Sequence, residues 1–294
     1  MRKPLRLGVL GAGRWGRTYI RTIAQIPELR VARVASRNPD TQALVPPDCA
    51  VSADWRDVVR ADDIDGVVVA APPAVHAEMT LEAIACGRPV MVEKPLALST
   101  ASAVSILAAA EARRVFVLVD HVHLFHPGYQ ALKRSALSNG PVRAIAARAG
   151  ARGPYRPDVR ALWDWGPHDV AMCIDLLGGE PQTVDAECLE CRPVDAGWGE
   201  RLRLRLRFPA DVEAEIELST LRERHRSFEV RLDSGILRYD GSPPLAAADL
   251  PLTRAVREFA TSINNGAASL ASLKLGVGVV RTLARCEAAV AQKA

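Results

Sequence analysis

The chain has 294 residues, which is enough for one large domain or two of ordinary size. Hydrophobic residues make up 49% and charged residues 24%, a composition that is globular and excludes an intrinsically disordered chain. The net charge of +4 is small and the arginines are scattered, so nucleic acid is not expected as a partner. No apolar stretch reaches the roughly 20 residues that span a membrane, and glycines interrupt the N-terminal apolar run, so we expect a cytoplasmic protein.

A glycine-rich loop follows the first predicted strand, residues 5–10, and precedes a predicted helix over residues 17–26. Strand, glycine loop and helix form the context that the dinucleotide motif G-x-G-x-x-G requires. The first glycine permits a tight turn, the second lets a pyrophosphate approach the backbone, and the third lets the helix pack on the strand. The helix N-terminus offers free N–H groups to the phosphates. The expected cofactor contacts in this loop are Gly11, Gly13, Arg14, Trp15 and Gly16.

The second predicted strand, residues 31–36, ends in Ser36 and Arg37, where an acidic residue would bind the ribose hydroxyls of NAD. A hydroxyl beside an arginine suits a ribose phosphate, because the guanidinium binds phosphate oxygens. The sequence therefore favours NADP(H) over NAD(H), although Arg37 could also be a solvated loop residue.

Next comes a dense apolar strand over residues 66–71, then two prolines and a helix over residues 74–86. Ala71 and Pro72, where this strand ends, are candidate cofactor contacts. His76, in the first turn of the helix, is another. A histidine at a helix end more often makes a local hydrogen bond.

Glu93 and Lys94 follow a short apolar run over residues 89–92, which predicts a buried strand. Open α/β sheets bind ligands at the carboxyl ends of their strands, and the following proline restricts the lysine backbone. We expect Glu93 and Lys94 to border the cofactor and Lys94 to exchange a proton with a substrate hydroxyl. The alternative for an isolated Lys-Pro is a solvated lysine in a turn. A helix over residues 99–113 and a strand over residues 115–120 complete a predicted parallel, doubly wound sheet.

Three histidines, His121, His123 and His126, follow this sheet. No matching carboxylate or histidine supports a metal site, and their role stays open. Further on, Asp164 and His168 are separated by three residues. Pro167 favours a helix that begins there, which would place His168 in the first turn, where the dipole disfavours a charged imidazole.

The rest of the chain predicts antiparallel strands and two closing helices. Residues 201–208 and 212–218 alternate apolar and charged residues around a turn, which predicts a hairpin with arginines facing glutamates. A second hairpin is predicted around residues 233–235. Cys188 and Cys191 have a spacing used in metal and redox sites, but on a regular strand positions i and i+3 face opposite sides. We therefore expect all six cysteines to be ordinary reduced thiols.

The combination of the glycine loop, Ala71-Pro72-Pro73-x-x-His76, Glu93-Lys94-Pro95 and Asp164-x-x-x-His168 resembles the Gfo/Idh/MocA oxidoreductases. The resemblance implies an N-terminal Rossmann domain, residues 1–121, and a smaller α/β domain with an open, mostly antiparallel sheet, residues 122–294. It also implies that Lys94, Asp164 and His168 surround the reacting carbon. The second domain is shorter than is usual in the family, and residues 120–123 lack the polar pattern of many members.

These expectations describe an NAD(P)-dependent oxidoreductase that moves hydride between nicotinamide and a secondary alcohol or ketone of a sugar, cyclitol or sugar derivative. Two alternatives stay open: a reductase of a dihydrodiol, imine or tetrapyrrole on the same fold, or a non-catalytic NAD(P)-sensing regulator. The charged face of the first hairpin is available to another subunit, so a homodimer or homotetramer is expected. The expected partner is a small molecule, without a membrane or a resident metal.

Overall fold

A computed structural model describes residues 3–153, 155–194, 197–241, 245–266 and 268–293. The chain forms two compact units. The first comprises the chain up to Ala97 together with Ala101–Asp120 and Leu252–Lys274. The second comprises Leu98–Thr100, His121–Pro251 and the chain from Leu275 onwards. Among the described residues, no helix has the length and apolar character needed to cross a membrane.

The first unit is built on a six-stranded sheet in which every pairing is parallel, in the order β3-β2-β1-β4-β5-β6. The predicted doubly wound parallel sheet is therefore confirmed. Its strands are β1 Leu5–Leu10, β2 Leu29–Ala35, β3 Ala50–Ser52, β4 Gly66–Val69, β5 Val90–Glu93 and β6 Val117–Asp120. The helices that follow these strands are α1 Arg14–Ala24, α2 Trp55–Val59, α3 His76–Ala85 and α4 Thr100–Arg113.

Strands β4, β5 and β6 are buried along their whole length, as expected of a parallel sheet covered on both faces. Continuous runs of valine and methionine fit this environment because neither face needs polar side chains. Polar residues appear only where the strands end: Glu93 closes β5 and Asp120 closes β6, and the two are register partners. The carboxyl edge of the sheet is therefore where charge accumulates.

The helix α7, Pro251–Asn264, packs within the first unit, although the sequence assigned it to the second domain. The Phe259 ring stacks on Phe116 at a centroid distance of 6.2 Å. A side chain at Gly66 would lie 2.9 Å from Ile263 and 3.1 Å from Phe259, so the glycine makes room for the helix. Contacts between residues more than 140 positions apart place this helix, and no local sequence pattern predicts them.

The second unit contains a mixed six-stranded sheet in the order β12-β11-β7-β10-β9-β8. Strands β7 and β10 pair in parallel and the other pairs are antiparallel, which confirms the expected mostly antiparallel sheet. Its strands are β7 Val142–Gly150, β8 Thr183–Val194, β9 Gly197–Arg207, β10 Glu213–Ser219, β11 His225–Leu232 and β12 Gly235–Tyr239. The remaining helices are α5 Pro127–Ser138, α6 Ala161–Leu177 and α8 Ala271–Lys293.

The prediction that a helix begins at Pro167 is wrong, because α6 begins at Ala161 and contains Pro167 in its interior. The cause is a cap supplied by another element. Glu200, on β9, accepts a hydrogen bond from the Ala161 N–H at 2.9 Å and binds the Arg160 guanidinium. His168 is therefore the eighth residue of α6, beyond the first turn where the helix dipole acts most strongly.

Candidate functional site

The glycine loop between β1 and α1 has the geometry that a dinucleotide requires. Gly11 has φ +103°, and a Cβ there would lie 2.6 Å from the Ala70 carbonyl oxygen. A Cβ at Gly16 would lie 2.0 Å from the Gly11 carbonyl oxygen, so a side chain at either position would collide with backbone. A Cβ at Gly13, by contrast, would meet no heavy atom within 4 Å. The middle glycine therefore faces open space, where a pyrophosphate could approach.

The first turn of α1 is left without a side-chain cap, since Gly13 occupies the capping position. Its N–H groups are thus available to anionic oxygens. A groove that extends from this end along the helix is lined by Gly13, Arg14, Arg17 and Arg21. Trp15 is 40% exposed beside it. Arginines and free backbone donors around a bare glycine fit the phosphates of a dinucleotide.

Ser36 and Arg37 lie at the carboxyl end of β2. The Ser36 hydroxyl accepts hydrogen bonds from the Thr41 hydroxyl at 2.7 Å and from the Asn38 N–H at 3.1 Å. Ser36 is thus tied into the loop, whereas Arg37 is exposed to solvent. An exposed guanidinium at this position is free to meet a charged group on a ribose.

His76 lies within hydrogen-bonding distance of two loops of the first unit. Its Nδ1 lies 2.8 Å from the Pro95 carbonyl oxygen and its Nε2 lies 2.8 Å from the Ala71 carbonyl oxygen. Both partners accept, so a ring carrying two N–H groups satisfies both contacts. The ring is buried and its nitrogens are engaged with backbone, while Pro72 is exposed. The structure thus gives His76 a local hydrogen-bonding role at the segment that follows Lys94.

Lys94 directly follows β5 and is 8% exposed, so the interpretation of a solvated turn lysine does not fit. Its N–H donates to the Glu93 Oε2 at 3.1 Å. Glu93 is also buried, and the electrostatic interaction of Lys94 extends to both Glu93 and Asp120. A buried ammonium thus lies beside two buried carboxyl groups at the carboxyl edge of this sheet.

Tyr19 joins these two carboxyl groups from α1. Its hydroxyl contacts the Asp120 Oδ2 and lies 3.1 Å from the Glu93 Oε1. Burial, with repulsion from Asp120, raises the pKa of Glu93 to about 8, and burial raises the pKa of Asp120 to about 6. A phenol has one proton to donate, so both contacts are satisfied when Glu93 carries a proton of its own. Sequence reasoning missed Tyr19 and Asp120, whose signal was only their place in α1 and at the end of β6.

In the second unit, Asp164 and His168 lie one turn apart on the same face of α6, and both are half-buried. Arg156 donates to the Asp164 Oδ1 at 3.1 Å. The guanidinium therefore orients the carboxylate, which remains partly accessible. The helix that carries both residues begins earlier than the sequence predicted.

His123 is a neighbour of His168 that sequence reasoning did not assign. The two rings meet edge to face at a centroid distance of 4.9 Å. The His123 Nδ1 lies 2.7 Å from the Tyr239 hydroxyl. His126 instead accepts a hydrogen bond from the Gly128 N–H and caps α5, and His121 is buried. Among the described residues, no group of three or more histidine, cysteine, aspartate or glutamate side chains is arranged to hold a metal.

Regular alternation predicted that Cys188 and Cys191 face opposite sides of β8. The structure contradicts this prediction. Cys188 pairs with Leu202 and Cys191 with Glu200, so three steps along β8 match two steps along β9. The extra residue is a β-bulge, which shifts the alternation by one position. Both cysteines therefore lie on the same face of the sheet.

Two family models match the chain. An oxidoreductase family with an NAD-binding Rossmann fold, Gfo/Idh/MocA, matches residues 5–121, and the C-terminal domain of the same family matches residues 137–238. Together they cover about three quarters of the chain.

Individual proteins agree with these models. Inositol 2-dehydrogenase from Klebsiella pneumoniae (strain 342) is 38% identical over 146 residues, covering 48% of this chain and 43% of that protein. The chain thus matches less than half the length of this curated relative. The solved structure of a candidate oxidoreductase from Magnetospirillum magnetotacticum MS-1 is 42% identical, covers 97% of this chain and all of its own, and has a TM-score of 0.90.

A more distant structure shares the fold. Scyllo-inositol dehydrogenase from Lactobacillus casei, solved with NAD(H) and scyllo-inositol, is 17% identical, with a TM-score of 0.86 and coverage of 99% and 98% of the two chains. The glycine loop, the two sheets and both matching domain models lead to one conclusion: the chain belongs to the Gfo/Idh/MocA oxidoreductase family, whose Rossmann fold binds NAD.

Proposed function

We propose that this protein is an NAD(P)-dependent dehydrogenase or reductase acting on a secondary alcohol or ketone, with a sugar, cyclitol or sugar derivative as its substrate. The observation that carries the proposal is the burial of Lys94 at the carboxyl end of β5, beside Glu93 and Asp120. The bare glycine loop at the end of β1 supports the cofactor, and the related inositol dehydrogenases support the substrate class.

The residues of the first unit divide into two roles. Gly11, Gly13 and Gly16 leave room for the dinucleotide, and the uncapped start of α1 offers N–H groups to its phosphates. The nicotinamide supplies a hydride acceptor or donor when it is bound. During oxidation Lys94 reacts as the neutral amine and takes the hydroxyl proton, and the ammonium formed returns that proton during reduction.

The buried carboxyl groups of Glu93 and Asp120 can accept a proton from Lys94. Tyr19 contacts both carboxyl groups, and Lys94 interacts electrostatically with each of them. We assign Tyr19, Glu93 and Asp120 as positioning residues that hold the ammonium and share a proton beneath it. They act through Lys94 and do not need to touch the substrate.

Asp164 and His168 are assigned to the same reaction. Their shared face on α6 and the ion pair between Arg156 and Asp164 give them fixed relative positions. His168 serves as an acid–base partner or orienting donor for the substrate hydroxyl, and Asp164 orients the ring or the substrate.

The decisive variant is Lys94→Met, which keeps most of the side-chain volume and removes the proton. We expect turnover to fall by roughly a hundredfold to ten-thousandfold, the usual contribution of general acid–base catalysis. Turnover is followed by nicotinamide absorbance over a panel of sugars, cyclitols and their keto forms, and cofactor binding by calorimetry. Cofactor affinity should stay unchanged, because the glycine loop holds the dinucleotide.

Two controls sharpen this test. Lys274→Met removes the charge of an exposed lysine and should leave turnover unchanged. His168→Asn should lower turnover, and the double variant with Lys94→Met should lose less than the two losses combined, because both act on one proton. A Lys94→Met enzyme with near wild-type turnover on the true substrate would reject the assignment. Cofactor binding without turnover on any member of the panel would favour a sensor.

We propose that the cofactor is NADP(H) rather than NAD(H), because the exposed Arg37 stands where an acid would bind the ribose of NAD. Calorimetry should give tighter binding of NADPH than of NADH. Arg37→Asp should reverse or abolish the preference, whereas Arg134→Asp, a change at an exposed arginine of α5, should not. An Arg37→Asp protein that keeps the wild-type preference would reduce Arg37 to a loop residue.

We further propose that the protein assembles as a homodimer or homotetramer through the charged face of the second sheet. The side chains on this face form arginine–glutamate pairs on β9, β10 and β8. A half-exposed face of paired charges can contact a second copy without exposing an apolar patch.

A further inference from the structure

The bulge in β8 gives the two cysteines a relation that their spacing alone does not predict. β8 is an edge strand, and Cys188 and Cys191 stand opposite Leu202 and Glu200 of β9. These two partners are separated by one residue, which spans about 6.8 Å along a strand. The Cα atoms of the cysteines are therefore separated by about the same distance, at the upper end of the range that a disulfide bridges.

The thiols also interact with each other. The pKa of Cys188 is raised by partial burial and then by the neighbouring Cys191 thiol. Cys188 additionally contacts the Glu190 carbonyl oxygen at 3.4 Å. Cys188 thus holds its proton close to a second sulfur.

The surroundings of Cys191 differ. The Arg160 Nη2 donates a hydrogen bond to its sulfur at 3.7 Å, and the same guanidinium is fixed by Glu200. Both cysteines are exposed, so a small oxidant can reach them. The two thiols therefore differ in their surroundings: the Cys191 sulfur lies beside a guanidinium, whereas the Cys188 thiol lies beside a carbonyl oxygen.

We propose that Cys188 and Cys191 form a redox-active dithiol that closes reversibly to an intramolecular disulfide. A hydroperoxide oxidises the Cys191 thiol to a sulfenic acid, and its O–O bond is reduced with release of water or an alcohol. The Cys188 sulfur then attacks the sulfenic sulfur, so that an S–S bond forms and water leaves. A thiol reductant restores both thiols by exchange.

The test uses the purified full-length protein and hydrogen peroxide as the oxidant. After brief treatment and alkylation, we expect the peptide containing both cysteines to have lost two hydrogens and to resist alkylation until dithiothreitol is added. A thiol titration should show the loss of two thiols per chain under the same conditions. Neither measurement depends on the activity proposed for the protein.

Three variants define the outcome. Cys188→Ser should leave a sulfenic acid at Cys191 that a dimedone probe traps, and Cys191→Ser should abolish the loss of two thiols. Cys86→Ser, a change at an exposed cysteine of the first unit, should leave the disulfide unaffected. The proposal is overturned if both cysteines of the treated wild-type protein remain open to alkylation, or if the disulfide contains Cys86.

Discussion

The two sheets of the protein treat charge in opposite ways. At the carboxyl edge of the first, Glu93 and Asp120 lie side by side, buried, with pKa values raised to about 8 and about 6. On the outer face of the second, arginines and glutamates alternate between neighbouring strands and remain partly exposed. Neighbouring buried carboxyl groups are costly to ionise, whereas paired surface charges contribute little to stability. The carboxyl edge of the first sheet therefore differs from the outer face of the second in the burial of its charged groups, not in their number.

Asp169 and Arg226 form a buried ion pair in the second unit and provide the most severe test of this distinction. The Arg226 Nη1 donates to the Asp169 Oδ1 at 3.0 Å, with side-chain exposures of 11% and 0%. Burial raises the pKa of Asp169, and the nearby guanidinium opposes that rise. Arg226→Leu would leave a carboxylate buried without its partner, which we expect to cost about 3–5 kcal/mol of unfolding free energy.

Urea denaturation of the variants measures this loss. Combining Arg226→Leu with Asp169→Asn should recover part of it, because a neutral amide is less costly to bury than a charge. Equal losses in the single and double variants would mean that Arg226 stabilises the unit through packing alone.

Much of the fold followed from sequence because its signals are local. The glycine loop lies between β1 and α1 as its motif requires, and β9 and β10 pair so that Arg205 faces Glu215, as the alternation predicted. The cap of α2 is equally local, because the Asp54 carboxylate accepts a hydrogen bond from the Arg56 N–H, two residues further on.

The features that sequence reasoning missed depend on distant partners. The start of α6 depends on Glu200, 39 residues away, and a favourable proline at position 167 misled the local prediction. Tyr19 and Asp120 meet across 101 residues. The bulge in β8 becomes visible only when the strand is paired with β9. Tertiary contacts decide each of these features.

Replacing Glu93 should change how stability depends on pH. Its folded-state pKa of about 8 lies above the value of about 4.3 expected in an unfolded chain, so the folded state binds the extra proton between these values. The stability that the neutral carboxyl contributes is complete below the unfolded pKa and is lost as the pH rises through about 8. We expect the wild-type unfolding free energy to fall between pH 5 and pH 8.5, by a few kcal/mol at most, since one pKa unit equals about 1.4 kcal/mol.

Glu93→Gln cannot ionise and should flatten this decline, although Asp120 will retain a smaller one. Glu111→Gln, at an exposed position of α4, should keep the wild-type slope. Urea denaturation at several pH values compares the three proteins. Identical slopes for wild type and Glu93→Gln would show that the Glu93 proton does not couple to folding.

The arginine–glutamate face of the second sheet should give the smallest effect. Arg205 and Glu215 are 3.3 Å apart with side-chain exposures of 41% and 47%, so Arg205→Gln should cost about 0.2–1 kcal/mol under dilute conditions where the subunits are separate. The same variant should weaken assembly more than it weakens folding, because a charge pair covered by a second subunit loses its solvent screening. Light scattering at micromolar concentration should give a dimer or tetramer for wild type and a smaller average mass for Arg205→Gln. A monomeric wild-type protein would contradict the proposed interface. A loss of unfolding free energy well above about 1 kcal/mol for Arg205→Gln in the separated subunits would mean that this charge pair behaves as a buried one.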